Sequence, residues 1–563
     1  MPRNIICTSI SLLLALTVIV SAWVESAAFM EESTMPKWIY FSFGTSLLLL
    51  VSSILFLFDK GRIKIGKFDA TLLVIFCIMF GYIFIRSKMY QDIYVFIIFI
   101  LFYFAIKLLY YKIPVLNFFA ILFIICASIS FFIGIGQLMN DEKLTGPYGS
   151  IVGFVITLVL GCLSVIHILK SSRNMSKISC FGLLIVEMAF LAMILFSNSR
   201  VGILSLGLGS LYFIRKHKYC YLIPIVLFVI SLSLLNFDKS ESTKGRLFIL
   251  KTTVELLDSP EKILFGYGED GFISNYMSQQ SENLVKQSEE IKQRAANIIH
   301  PLNEFLLLIV KYGVLIIITI IIICVIVLNN KGITPYAKSI IISLLVLSMF
   351  SYPFRYPISW IALAVALASC PDEKTPMNYS ISATSMVFMA VVGSIIGLSF
   401  TFKTNYDLRL WKKAHVNAML GRNDLSLNQY QELDSRFNSP EFRYNYSSYL
   451  CNLGKYREAL AQLQKCYLID YETILLSARI YGEVGDDNKA ISYYSKAYSM
   501  CPNRFVPLFE IYKIHKKRSN RSAQSHYANI ILKKRVKIPS DQIDYILQTI
   551  KTDKEKLRYE KEI

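Results

Sequence analysis

The stretch ISCFGLLIVEMAFLAMILFSNSRVGILSLGLGSLYFI, Ile178 to Ile214, is two apolar runs around the tetrapeptide SNSR. A helix rises about 1.5 Å per residue, so the run Ile178 to Phe196 is long enough to cross roughly 30 Å of hydrocarbon. The second run, Val201 to Ile214, is shorter, and the turn between them puts Arg200 at its mouth. Working outward, further apolar runs cover Ile5 to Val24, Trp38 to Phe58, Ala70 to Ile85, Ile93 to Leu109, Val115 to Ile135, Ile151 to Leu169, Tyr219 to Leu235, Phe305 to Leu328 and Ile381 to Phe402. Ile340 to Cys370 is broken by SYPFRYP at Ser351 to Pro357. Its two prolines and arginine predict two short helices joined by a turn. The reading is an all-α polytopic membrane protein of about thirteen spans, with a soluble helical-repeat domain at the C-terminus.

Composition agrees. The 563 residues are 54% hydrophobic and 18% charged, with mean hydropathy +0.47, which argues against an ordinary soluble enzyme. Net charge is +19, but the cations sit in short loops between apolar runs and no basic domain carries interleaved aromatics, so nucleic acid is set aside as a partner. Of 11 cysteines, eight lie in or beside apolar segments, where a thiol acts as a small hydrophobe. No metal-ligand or redox spacing is present.

Lysine and arginine near span ends are retained on the cytoplasmic side. With the N-terminus inside, the inner loops hold 16 of them, among them Lys60, Lys107, Lys170, Lys216 and Lys338, and the short outer loops hold 6. That orientation predicts a membrane bundle over 1–235, a large periplasmic loop over 236–303, further membrane helices over 304–402, and a periplasmic tail over 403–563. In the tail, LCNLGKYREALAQLQKCY (Leu450 to Tyr467) aligns with IYGEVGDDNKAISYYSKAYSMCP (Ile480 to Pro502), Gly454 over Gly485 and Ala459 over Ala490. The offset of 31 is close to the tetratricopeptide period of 34, and the small residues and terminating Pro502 suit that repeat. A third unit is expected over Leu508 to Lys533, with fraying from Lys551. Ser274 to Asn297 is expected to form an outer helix.

This orientation filters the ionisable residues for a periplasmic site. Of six histidines only His300 stands in an outer loop that enters a membrane helix, with Pro301 and Asn303 as start signals. It is either a general base or a polar interface residue. Arg200, Arg246 and Arg355 also face outward. A guanidinium offers fixed donors and permanent charge, which suits a pyrophosphate, whereas a single interfacial arginine also serves simply by snorkelling. The apolar cores hold almost no acidic or basic residue, which disfavours a transporter of an anionic glycolipid.

SNSRVGILSLGLG (Ser197 to Gly209), GRLFILKTTVELLDSPEKILFGYGEDGF (Gly245 to Phe272) and NEFLLLIVKYGV (Asn303 to Val314) together resemble the signature of the O-antigen ligase, O-antigen polymerase and protein O-oligosaccharyltransferase superfamily. LTGPYGSIVGF (Leu144 to Phe154) is similar to its upstream outer loop, and some members append tetratricopeptide repeats. The resemblance covers roughly Gly134 to Arg355. It implies a membrane glycosyltransferase of the bacterial inner membrane that takes a glycan from undecaprenyl pyrophosphate, without metal or nucleotide cofactor, by a single inverting displacement at the periplasmic face. Arg200 matches the arginine of the family's S-R-x-G motif and Arg246 its loop arginine, both pyrophosphate-binding, with Arg355 a third outward cation. His300 is the implied base. The family's histidine directly precedes the asparagine, however, and here Leu302 holds that place. Glu304 or Glu269 are alternatives, as is no side-chain base. Tyr267, Gly268, Glu269, Asn303 and Glu304 are the neighbouring contact candidates, and the glycines of FGYGEDG serve either close approach to substrate or an ordinary turn.

The acceptor stays open between a lipid A core sugar, a protein Ser/Thr hydroxyl and another glycan chain, with the repeat tail favouring a protein partner. A repeat-unit polymerase, a lipid-linked glycan transporter and a membrane-anchored scaffold are the competing readings.

Overall fold

The computed structural model describes residues 2–59, 63–65, 67–87, 91–110, 115–172, 175–214, 240–370, 379–381 and 383–562. The predicted span Tyr219 to Leu235 lies outside them. The chain divides into two compact bodies, Met1–Phe237 with Leu302–Asn417, and Asp238–Pro301 with Ala418–Ile563.

The first body is helical. Its helices are α1 (Pro2–Trp23), α2 (Met35–Asp59), α3 (Lys67–Arg86), α4 (Gln91–Tyr110), α5 (Val115–Met139), α6 (Ile151–Ser171), α7 (Lys177–Phe196) and α8 (Arg200–Ile214). Among the described residues, six helices of the chain are long and apolar enough to cross a membrane: Phe68–Arg86, Gln91–Leu109, Val115–Met139, Ile151–Ser171, Lys177–Phe196 and Val387–Met419. Shorter apolar helices accompany them. Caps start the helices where the sequence supplies them: the Ser150 side chain accepts from the Val152 N–H before α6, and the Ser176 side chain accepts from the Ser179 N–H before α7. Helix α7 keeps Ile178, Phe181, Ile185 and Met188 exposed along one face, an apolar stripe of the kind that hydrocarbon covers.

The sequence predicts one span over Phe305 to Leu328. Instead the chain forms two helices, Glu304–Tyr312 and Val314–Asn329, separated by Gly313, whose φ of 74° breaks the run. After them come Pro335–Phe350, a single 3-10 turn at Pro353–Arg355, and Pro357–Ala368. The expected break at SYPFRYP is present, because each proline opens a helix at its first turn, where no N–H is needed. The final apolar helix does not stop at Phe402. It runs unbroken from Ala383 to Met419.

Polar contacts sort the helix ends of this body into two groups. At one, Lys37 is fully buried and donates to the carbonyls of Val24 (2.8 Å), Ser33 (2.6 Å) and Pro147 (2.6 Å). Trp38 donates to the Arg355 carbonyl at 3.0 Å, and Lys412 pairs with Glu32 at 3.2 Å. At the other, Lys107 meets Asp69 at 3.0 Å and the Cys370 carbonyl at 3.0 Å, His167 bonds Asn117, and strand β1 (Ile63–Ile65) pairs antiparallel with β2 (Tyr379–Ile381). These contacts gather described helix ends only, and charge counting predicts that helices crossing in turn alternate between two such sets. The end of the last helix joins the 24–34, 144–150 and 351–356 loops.

The second body contains residues 240–301 of the large loop and the tail from Ala418 onward. Loop helices span Ser240–Glu255, Pro260–Phe265, Gly271–Val285 and Glu289–Arg294, so the expected single outer helix is two. The tail forms Asn423–Asp434, Pro440–Asn452, Tyr456–Gln464, Tyr471–Val484, Asp487–Met500, Val506–Lys517, Arg521–Lys533 and Asp541–Glu562. The last remains helical beyond Lys551 rather than fraying there. The turns recur: Gly421, Gly454, Gly485 and Ser519 all take positive φ, at intervals of 33, 31 and 34 residues. Ala459, Ala490 and Ala497 are fully buried, so small residues let successive helices approach closely. The Gly271–Val285 helix packs against Asp487–Met500, burying Phe272, Tyr276, Met277, Gln280 and Leu284.

Candidate functional site

Arg200 is positioned by a turn with little freedom. Helix α7 ends at Phe196, the Ser197 N–H bonds the Met193 carbonyl at 3.0 Å, Asn198 takes φ 53°, and the Ser199 hydroxyl accepts from Gly202 N–H at 3.2 Å to open α8. A non-glycine in the left-handed region is a strained position held by its surroundings. The glycine of the S-R-x-G motif has a packing reason: a Cβ at Gly202 would come 2.3 Å from Val155 on α6. Lower down, α8 is locked to Pro335–Phe350. Ser205 and Ser343 each donate to the other's carbonyl at 3.0 Å, and a Cβ at Gly209 would lie 2.1 Å from the Ser343 hydroxyl. Small and hydroxylated residues are how membrane helices come this close. On this rigid mount the Arg200 Nη2 is buried without a hydrogen-bond partner among the described residues. Leaving a buried charged donor unmet costs about 1–3 kcal/mol or more, so the position favours an incoming anion.

Arg355 and Glu304 are brought to one turn. The Glu304 carboxylate is buried and accepts from the Phe354 N–H at 3.2 Å; Asn303 caps its own helix by accepting from Leu306 N–H at 2.9 Å and donates to the Met349 carbonyl at 2.9 Å. Glu304 therefore acts as a bracket for the turn, which weakens it as a base. The Arg355 guanidinium pairs with Glu31 at 3.1 Å, both side chains 41% exposed. Solvent screens such a pair strongly, so it exchanges readily for another anion. Tyr148, held by Thr157 at 2.7 Å, packs edge-on against Tyr356, and Ser150 bonds Tyr352, tying the 144–150 loop to the same turn.

The remaining candidates belong to the second body. Arg246 is exposed on Ser240–Glu255, without a hydrogen bond or ion pair among the described residues. FGYGEDG is a structured turn: Gly266 and Gly268 hold φ 66° and 102°, and Gly271 N–H bonds the Gly268 carbonyl at 3.0 Å. The positive φ angles account for both glycines by backbone geometry. Tyr267 donates to the Leu256 carbonyl at 2.7 Å, and Lys262 lies 4.8 Å from its ring centre. The hydrogen bond to Asp258 holds the Lys262 ammonium up at about 12. Glu269 is buried. His300 is half-buried, and Leu302 behind it takes φ 56°, an uncommon conformation for a bulky side chain.

Several notable residues stand outside the sequence candidates, and of these only Glu187, an acid inside an apolar run, carries a signal in the sequence. Lys37 counts there merely as one outer-loop charge, yet it is the pin of the 24–34 and 144–150 loops. Glu187 is an acid within α7, bonded to Cys162 with its Oε2 buried and unmatched, an exception to the apolar cores. Asn297 and Asp470, a bonded pair at 2.7 Å, lie 173 residues apart. Among the described residues no group of three or more His, Cys, Asp or Glu is arranged to hold a metal ion. No family model matches this chain, and no curated protein matches it.

Proposed function

We propose that the protein is a membrane glycosyltransferase of the O-antigen ligase-like type, which transfers a glycan from undecaprenyl pyrophosphate to an acceptor hydroxyl on the periplasmic side of a bacterial inner membrane. The reading includes thirteen spans, a cytoplasmic N-terminus and a tetratricopeptide-like periplasmic tail. The observation that carries it is the buried, unmatched Nη2 of Arg200 at the mouth of α8. A fixed guanidinium donor near the membrane surface suits a phosphate oxygen, and its bond strengthens as negative charge grows there.

In this reaction the acceptor hydroxyl oxygen bonds the anomeric carbon as the bond from that carbon to the phosphate oxygen breaks, with inversion. The electron pair leaves on the lipid pyrophosphate, whose charge Arg200, Arg246 and Arg355 neutralise. The hydroxyl proton passes to His300. Arg355 exchanges Glu31 for the phosphate when donor binds. Tyr267, Gly268 and Glu269 border the loop, and Asn303 and Glu304 support the helix entry.

A purified-protein transfer assay with defined lipid-linked donor tests this. Arg200→Ala and Arg246→Ala are each expected to lower transfer by about 100-fold, the scale of losing one preorganised charge donor; full transfer by both variants refutes the reading in favour of a scaffold or transporter. Offering a lipid A core sugar, a Ser/Thr peptide and a free glycan side by side separates ligase, protein transferase and polymerase.

A further inference from the structure

We infer that the helical tail is a clamp for the chain's own 238–301 segment, and that the Asn297–Asp470 pair is a positioning contact that sets His300. This rests on the transfer reading for its catalytic half, while the clamp itself stands on geometry within the second body. Asn297 donates from Nδ2 to Asp470 Oδ2 at 2.7 Å and accepts from the Tyr471 N–H at 3.3 Å. The other Asp470 oxygen is already committed, accepting from the Thr473 N–H and hydroxyl at 2.9 Å each as the cap of Tyr471–Val484. Asp470 is buried, so without Asn297 one oxygen of a buried carboxylate loses its donor.

The neighbouring contacts act on the same short piece of chain. Asn503 donates to the Gln293 and Ala295 carbonyls at 3.0 and 2.9 Å. Gln280, itself buried, bridges the Ala296 and Met500 carbonyls at 3.0 and 2.9 Å. The Ile298 N–H meets Met277 Sδ at 3.4 Å. Further back, Ile469 N–H bonds the Ile273 carbonyl at 3.1 Å and Ser274 donates to the Tyr467 carbonyl at 2.9 Å. Residues 293–297 are thereby fastened to the tail through Asn503, Asp470 and Tyr471, and residues 296–298 to the helix Gly271–Val285, which itself packs on the tail. His300 is two residues farther on, within about 7 Å of chain, and Pro301 restricts it to extended backbone. Where Ile298 is held, His300 has little room to wander. The Asn503, Gln280 and Asn297–Tyr471 contacts set side-chain amides on main-chain groups, which read position rather than sequence, and the packed face beneath them is occupied by the chain itself.

A reciprocal swap in the full-length protein tests the pairing. Asn297→Asp sets two carboxylates against each other. Adding Asp470→Asn restores the set with the roles exchanged: the carboxylate now at position 297 accepts from the Tyr471 N–H and from the amide now at position 470, whose oxygen still caps Thr473. Two readouts are compared, deuterium uptake over residues 295–302 and transfer kinetics. Asn297→Asp is expected to speed uptake by about 10-fold and to lower kcat by roughly 10- to 100-fold, the scale of a misplaced catalytic group, with KM for the lipid-linked donor within about twofold. The double variant is expected to recover both. Unchanged uptake in Asn297→Asp overturns the clamp. Faster uptake with unchanged kcat, or a kcat deficit that the swap does not repair, overturns the positioning role. Full activity of His300→Ala refutes the base itself, and the uptake measurement still decides the clamp.

Discussion

At the residue scale, two of the strained non-glycine positions flank the candidate chemistry: Asn198 two residues before Arg200, and Leu302 directly before Asn303. Strain of this kind persists only where surrounding structure outweighs it. Another residue-level feature belongs to the tail. Lys534 donates to the Pro502 carbonyl and lies 4.6 Å from the Tyr498 ring centre, and burial pushes its ammonium down to about 8, with Glu289 opposing. Below pH 8 both folded and unfolded chains carry the charge, and the folded chain bears the full desolvation cost. Between pH 8 and the ordinary lysine value near 10.4, the folded chain binds fewer protons, so this site's contribution to stability improves as pH rises. Melting curves of the full-length protein should therefore find Lys534→Met more favourable relative to wild type at pH 7 than at pH 10. An equal difference at both pH values would contradict the buried ammonium.

At the element scale, the tail is organised by its left-handed turns. At Gly421, Gly454 and Gly485 nothing lies within 4 Å of an added Cβ, so these glycines are required by φ alone. The matching stretches Leu453-Gly454 and Val484-Gly485 are legible in the amino-acid sequence. Leu420-Gly421-Arg422-Asn423 is the same signal and passes unnoticed because the long preceding helix hides the start of the array. Ser519 obscures the last turn, since a serine carries no obvious turn signature although it adopts φ 54°. Ser519→Gly should stabilise the array by up to about 1 kcal/mol, as relief of the left-handed cost outweighs the added freedom of the unfolded chain, and Gly485→Ala should destabilise it by about 1–2 kcal/mol. Differential scanning fluorimetry reads both, and a lower melting point for Ser519→Gly would contradict the turn assignment. The membrane helices follow the same pattern of success and failure. Apolar length predicts where most begin and end, but Gly313 divides the long run Phe305 to Leu328 just after Lys311, because hydropathy does not register a single backbone angle.

At the scale of the whole molecule, hydropathy and charge counting predict alternating helix ends; among the described residues, Lys107–Asp69 and β1–β2 join one set of ends, and Trp38–Arg355 and Lys412–Glu32 join another. The loop and tail, bonded within one body, share one side of any membrane. Which side follows from the proposed orientation and is directly testable. Cys451 is a poor reporter, being buried, whereas Lys517 and Lys331 are exposed. In spheroplasts, Lys517→Cys should react with an impermeant maleimide and Lys331→Cys should react only after lysis; the opposite pattern would invert the proposed topology.

Local chemistry was enough to make this chain helical, apolar over long segments and periodic in its tail, because hydrophobic length, proline and glycine act within a turn or two of themselves. The same stretches singled out Arg200, Arg246, His300 and Arg355 by type and spacing. Folding alone assigned their circumstances: a guanidinium nitrogen left unmatched at Arg200, a counterion for Arg355 in Glu31, a bracing duty for Glu304, and an Asn297–Asp470 bond across 173 residues. Such pairings depend on which distant groups meet in space, and a buried polar atom chooses its partner from whatever the packed chain brings within about 3 Å.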